Sequence, residues 1–363
     1  MKKGTHFLLK MLAFTIIAGM VISVSGKVKA AAYYEHKVIS LIVPYGPGGG
    51  TDVWARVASI NLGRFVPGNP TIVVRNIPGG GSVTGSNMAW SAKPNGLTCL
   101  VTGGGVLMNN ILRPKGATYR LEKMHPIVSL PTGNVYYVKP GMIKEPKDIM
   151  TAKGLVWGHM VVSTGTAGGF VWAIELLGFK LEKLVQGYSG GGESRMAFIS
   201  GESNFTGGDT AEHFTGWKPF IEKGQAVPVF QQGVMDEGGN VVRESGVPDL
   251  PTAPELYEQI YGKKPSGKTW EAYKLFAGTR SFTKTVLLPA DTPKEVVEIL
   301  RKAAEDMAKD PKALNDTAKV APGASYLTGP KLVGIFPSAV QGSPDLVEFV
   351  RKVLGEKYGI VFD

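Results

Sequence analysis

The sequence predicts an α/β fold with enough chain for two lobes, and three observations point there. The 363 residues are 43% hydrophobic and 19% charged, a balance that builds a full core and excludes disorder over most of the length. From residue 35 onward, short β-branched runs alternate with amphipathic segments, the pattern of a parallel sheet covered by helices. Glycine runs stand repeatedly where a predicted strand hands over to a predicted helix.

Val38 to Val43 reads as a buried strand that ends in Pro44-Tyr45-Gly46-Pro47-Gly48-Gly49-Gly50. The helix predicted next, Asp52 to Phe65, carries Val53, Trp54, Val57, Ile60 and Phe65 on one stripe. Thr71 to Arg75 is a second strand, followed by Pro78-Gly79-Gly80-Gly81 and a helix over Ser82 to Ala92. Leu97 to Thr102 is a third, ending in Gly103-Gly104-Gly105. The theme returns with strands at Met160 to Thr164 and Lys183 to Tyr188, each followed by glycines and a helix, and with a strand at Ala226 to Gln231. Gln232 to Pro254, rich in Gly, Pro and acidic residues, reads as a surface excursion, and two amphipathic helices close the chain.

The first thirty residues stand apart. A basic start through Lys10, an apolar run from Met11 to Val24 and Ala30-Ala31-Ala32 read as a secretory signal over residues 1–32, so the chain is expected in the periplasm or extracytoplasmic space. This segment supplies five of the positive charges behind the net +10, and the remainder carries 35 basic against 30 acidic residues with no basic run. That surplus favours anions without asking for nucleic acid. The single cysteine, Cys99, lies in an apolar stretch and is expected in the core. Five histidines without metal-ligand spacing give no metal site, and no cofactor is expected.

A strand that ends in glycines and opens a helix leaves unpaired backbone N–H groups above the carboxyl end of the sheet, where the helix dipole favours an anion. Glycine lets a ligand approach that backbone closely. Gly48-Gly49-Gly50-Thr51-Asp52 lacks the ending of a phosphate-binding loop, and no Gly-x-Gly-x-x-Gly opens a helix, so nucleotides are disfavoured. Asp52 reads first as a helix N-cap, with shaping of the glycine loop or contact with a ligand left open. Gly187-Tyr188-Ser189-Gly190-Gly191 fits a nucleophile elbow, which keeps an exported serine hydrolase using Ser189 as the alternative; its histidine would be His213, with Asp209 nearby.

Val43-Pro44-Tyr45-Gly46-Pro47-Gly48-Gly49-Gly50-Thr51-Asp52, then Ala55-Arg56, Val73-Val74-Arg75-Asn76-Ile77-Pro78-Gly79-Gly80-Gly81, Pro94-Asn95-Gly96 and Val247-Pro248-Asp249-Leu250-Pro251-Thr252 resemble, in order, the substrate-binding proteins of tripartite tricarboxylate transporters, the Bug-type receptors. The resemblance implies a type II-like periplasmic binding fold, with lobe 1 at 33–135 and 288–363 and lobe 2 at 136–287, closing on a small organic acid. It implies a monomer that hands its ligand to membrane permease subunits, or a sensory protein with the same cleft, and no catalysis. The site residues it implies are Tyr45, Gly46, Gly48, Gly49, Gly50, Thr51, Asp52 and Gly103 facing Ser163, Thr164, Gly165, Thr166, Ala167 and Asp209. Backbone amides are expected to hold the carboxylate without a buried cation. The chain departs from the family pattern at Ala167, Gly168 and Val171.

Overall fold

The computed structural model describes residues 33–160, 168–236 and 238–362. The segment read as a signal, residues 1–32, and the expected second-lobe loop Ser163 to Ala167 lie outside the described residues.

Two five-stranded sheets carry the fold, and they share one plan. The first has the order β2-β1-β3-β12-β4, from Thr71–Asn76 (β2), Val38–Val43 (β1), Thr98–Val101 (β3), Val286–Leu288 (β12) and His125–Val128 (β4). The second has the order β7-β6-β8-β5-β9, from Lys183–Tyr188 (β7), Val156–Met160 (β6), Phe205–Asp209 (β8), Asn134–Val138 (β5) and Val227–Gln231 (β9). In each, three strands run parallel and the fourth is antiparallel to its neighbours. The parallel strands are joined through helices, as parallel pairing requires.

The chain crosses between the sheets at residues 129–133 and again at 280–285. These crossings are tied together: Leu130 N–H donates to Lys284 O at 3.3 Å, Thr132 N–H to Arg280 O at 3.3 Å, and the Thr132 and Thr283 hydroxyls meet at 3.0 Å. A paired crossing of this kind is where two lobes hinge.

Each sheet has its own core. The first packs Leu41, Ile42, Trp54, Leu100, Leu287 and Leu300, all buried. The second packs Tyr136, Trp157, Trp172, Phe205 and Phe230, and it also takes in Met108 of the Gly104–Leu112 helix and Val350 and Leu354 of the C-terminal Pro344–Tyr358 helix. Cys99 is buried in the first core. The Gly50–Gly63 helix buries Trp54, Ala55, Ala58 and Leu62, whereas Ile60 of the expected stripe is exposed. The β6 strand lies at 156–160, ahead of the Met160 to Thr164 run expected from its apolar residues. Gly158 and His159 break that strand's hydrophobic pattern, which hid it. The Gln232 to Pro254 segment is no simple excursion, because Gln232, Glu244 and Val247 are buried and Val234–Met235 pairs with Val241–Val242.

Candidate functional site

The loop after β1 is held open by Asp52, which sits inside the first turn of the Gly50–Gly63 helix; Gly49 occupies the N-cap position. This corrects the capping expectation. The Asp52 carboxylate accepts from Gly48 N–H at 3.0 Å, from Asn76 Nδ2 at 2.9 Å and from Arg56 through Nε at 3.1 Å and Nη2 at 2.8 Å. Asn76 also donates to Tyr45 O at 3.0 Å. Burial opposes ionisation of Asp52, but the Arg56, Gly48 and Asn76 donors outweigh it and hold the carboxyl below its ordinary range. Gly48 has φ +80°, a conformation that favours glycine. The loop is thus folded around a neutralised carboxylate, and the amides of Gly49, Gly50 and Thr51 are left for something else.

Across from it stand the turn after β7 and the end of β8. Gly46 N–H donates to Ser189 O at 3.0 Å, joining the lobes directly. A Cβ on Gly49 would lie 3.3 Å from Gly191 N, one on Gly190 would lie 3.2 Å from Gly46 N, and one on Gly50 would run into the Asp209 carboxylate. Glycine on both sides is what lets the backbones meet. The other expected first-lobe residue, Gly103, lies under the Tyr45 ring, where a Cβ would be 2.6 Å from it. The Tyr45 hydroxyl in turn accepts from Val106 N–H at 3.1 Å.

Between the turns lies a cavity of ≈ 70 Å³. Tyr45, Gly49, Gly50, Thr51, Asp52 and Asp209 of the expected residues line it, while Gly46, Gly48 and Gly103 do not. The Pro78 to Gly81 turn lines a separate groove of ≈ 260 Å³ together with Tyr188 and Ser189. Three helices start at the cavity, at Gly50, at Gly104 and at Gly191 (the Gly191–Ser200 helix). Their first-turn N–H groups have no intrahelical acceptors, so the cavity gathers amide donors and the positive ends of helix dipoles.

A buried cation is present, contrary to expectation. Arg280, 5% exposed, lines the cavity; its Nε donates to Thr132 O at 2.9 Å, and its Nη2 donates to Gly133 O at 2.8 Å and to Asp209 Oδ2 at 3.1 Å. Its Nη1 lies 3.1 Å from where a Gly104 Cβ would stand, on the cavity side. Lys284, 1% exposed, donates to Asp209 Oδ2 at 2.6 Å and lies 3.5 Å from Thr51 Oγ1. Burial pushes Asp209 up, but the Lys284 and Arg280 charges prevail and keep it ionised. Glu212, buried and paired with Arg195, is pushed up to about 7, burial being the larger influence and the Arg195 charge opposing it. Sequence reasoning missed Arg280 and Lys284. The signal available was a stretch from Ala272 to Ala290 that holds Lys274, Arg280 and Lys284 and no acidic residue.

The elbow around Ser189 is not assembled for catalysis among the described residues. The Ser189 hydroxyl and N–H both donate to Glu193 Oε2 at 2.7 Å, while His213 Nδ1 meets the Tyr137 hydroxyl at 2.8 Å. Trp54, Trp157, Trp172 and Trp217 are all buried in cores. No group of His, Cys, Asp and Glu among the described residues is arranged to hold a metal ion.

Comparison with solved structures gives the same architecture. The periplasmic binding protein BugD superposes with a TM-score of 0.62 at 19% identity, covering 90% of this chain and 99% of BugD. The chain has the fold of BugD. MatC from Rhodopseudomonas palustris, solved with bound malate, matches at a TM-score of 0.63 and 17% identity over 88% of this chain and 99% of MatC. An R. palustris protein solved with adipate matches at 0.65 and 17% over 90% of this chain and 98% of that one. In sequence, a UPF0065 protein of Bordetella bronchiseptica is 23% identical over 235 residues, 56% of this chain and 70% of that protein. A UPF0065 protein of Bordetella pertussis is 31% identical over 102 residues, 27% of this chain and 30% of that protein. No protein-family model matches the chain. The Bug-type solved structures are binding proteins, and no helix among the described residues is long and apolar enough to cross a membrane.

Proposed function

We propose that this chain is an extracytoplasmic solute-binding receptor that captures a small organic carboxylate between its lobes and delivers it, as a monomer without catalysis, to membrane permease subunits. The observation that carries the reading is the convergence of three helix N-termini and Arg280 on one cavity. Such a site offers a carboxylate charge-assisted hydrogen bonds. Malate and adipate in the solved relatives fit the same ligand class. Closure supplies the message for a permease, because a ligand shifts the lobes only through contacts it makes better in the closed form. A thermal-shift screen of the purified chain against a panel of organic acids tests the proposal. Stabilisation that grows with ligand concentration is expected from at least one carboxylate, and a flat response to all of them contradicts the reading.

A further inference from the structure

The cavity wall is uneven, and its two kinds of surface specify different parts of a ligand. Arg280 is the only Lys or Arg among the described lining residues, beside three acids: Asp52, Asp209 and Glu212. Each of those acids already has its own cation, in Arg56, Lys284 and Arg195 respectively. Arg280 itself shares part of its charge with Asp209. One added carboxylate therefore finds Arg280 and the helix amides, and a second finds no further cation among the described lining residues.

The rest of the wall sets Met108, Phe170 and Phe276, which belong to one hydrophobic cluster, beside the polar side chains of Asn134 and Thr279. Two further polar side-chain atoms stand there without partners. His159 Nδ1 and Gln232 Nε2 are the buried side-chain atoms without a hydrogen-bond partner among the described lining residues, and the two residues are 1% and 0% exposed. An unmet polar group in such a place is unfavourable by about 1–3 kcal/mol unless something bonds to it. The His159 ring lies 4.3 Å from the Phe170 ring, centroid to centroid, so its unpartnered nitrogen is set in apolar surroundings. Burial also pushes His159 down to about 3, which leaves an uncharged imidazole that bonds to a neutral group without serving as counter-ion for a second acid.

We infer that the cavity selects a monocarboxylate with an apolar or aromatic body and one uncharged oxygen, hydroxyl or carbonyl, that meets His159. The inference rests on the reading of the cleft as a carboxylate site and narrows it away from dicarboxylates such as those held by the solved relatives. The acid group sits against the Gly50, Gly104 and Gly191 amides and Arg280, and the body lies on Met108, Phe170 and Phe276.

Calorimetric titration of the purified chain at pH 7.5 with 4-hydroxybenzoate, benzoate, 4-methyl-2-oxopentanoate, malate and adipate tests it. The expected result is that a monocarboxylate bearing a hydroxyl or oxo group binds at least tenfold more tightly than either diacid, and that 4-hydroxybenzoate exceeds benzoate. In the His159→Phe variant, which keeps the ring and removes its nitrogens, the ratio of 4-hydroxybenzoate to benzoate affinity should fall by about tenfold. Equal or tighter binding of malate or adipate by the wild-type chain overturns the inference and leaves the receptor reading standing. Absence of binding by every acid overturns both.

Discussion

Lys284 Nζ donates to Asp209 Oδ2 at 2.6 Å with the lysine almost fully buried, and Arg280 reaches the same oxygen at 3.1 Å. The acid ends β8 in the second sheet, and both cations lie on the crossing that leads back to the first. Two buried cations at the crossing therefore share one carboxylate. Asp209→Asn leaves both without it and is expected to lower stability by about 3–5 kcal/mol, with Lys284→Met added to it restoring part of the loss. Urea unfolding of the two variants measures this, and a single variant as stable as wild type contradicts it.

Gly50→Ala places a methyl group against the Asp209 carboxylate across the cleft, at a helix position where alanine is otherwise favourable. Overpacking of this kind is unfavourable by about 1–3 kcal/mol. The loss should show as about 5- to 150-fold weaker ligand binding if the lobes part in the free chain, and as a lower melting temperature of the free chain if they do not. Unchanged affinity would mean that binding does not bring Gly50 and Asp209 together.

The Asp52 network makes a separate prediction. Asp52→Ala removes the acceptor for Gly48, Asn76 and Arg56 at once, so the glycine loop loses the contacts that fix it. Stability is expected to fall by about 1–3 kcal/mol. Ligand affinity is expected to fall with it, because the loop amides are no longer held in place. Denaturant melts and titration of the same preparation read both effects.

Glu244 sets a pH dependence. Its carboxylate is buried, accepts from Gly133 N–H at 2.7 Å and from the Thr210 hydroxyl, and leaves Oε1 without a partner. Burial pushes it from an ordinary value of 4.5 up to about 7, against the Thr210 and Gly133 bonds. A group whose folded value is raised favours the fold below its unfolded value and loses that contribution as pH rises through about 7. Between pH 5 and pH 8 the wild-type chain should therefore lose more stability than Glu244→Gln does, by about 3 kcal/mol. Parallel slopes for the two proteins count against a raised Glu244.

Part of this site was legible in the sequence because glycine turns after β-branched strands have a fixed physical meaning, and Tyr45, Gly49, Gly50, Thr51 and Asp52 do line the cavity. What was not legible depends on tertiary placement. Gly207 and Gly208 lie inside β8, where a Cβ would strike the Phe170 ring or come within 2.6 Å of the Trp217 indole, and only the packed fold shows that need. Arg280 and Lys284 stand about 75 residues from the acid that accounts for them, and no local pattern marks that pairing. His159 sits in a strand whose glycine and histidine masked its apolar alternation, so its place on the cavity wall came only with the fold.

The most direct measurement is a calorimetric titration of a bound carboxylate into the wild-type chain and into Gly49→Asp. Gly49 is an N-cap in extended conformation, a position where aspartate supports a helix, so the fold should be kept while a negative charge is set at the cavity beside Gly191. At least tenfold weaker binding at an unchanged melting temperature is the predicted result. Equal affinity in the two proteins would contradict a carboxylate held between these turns.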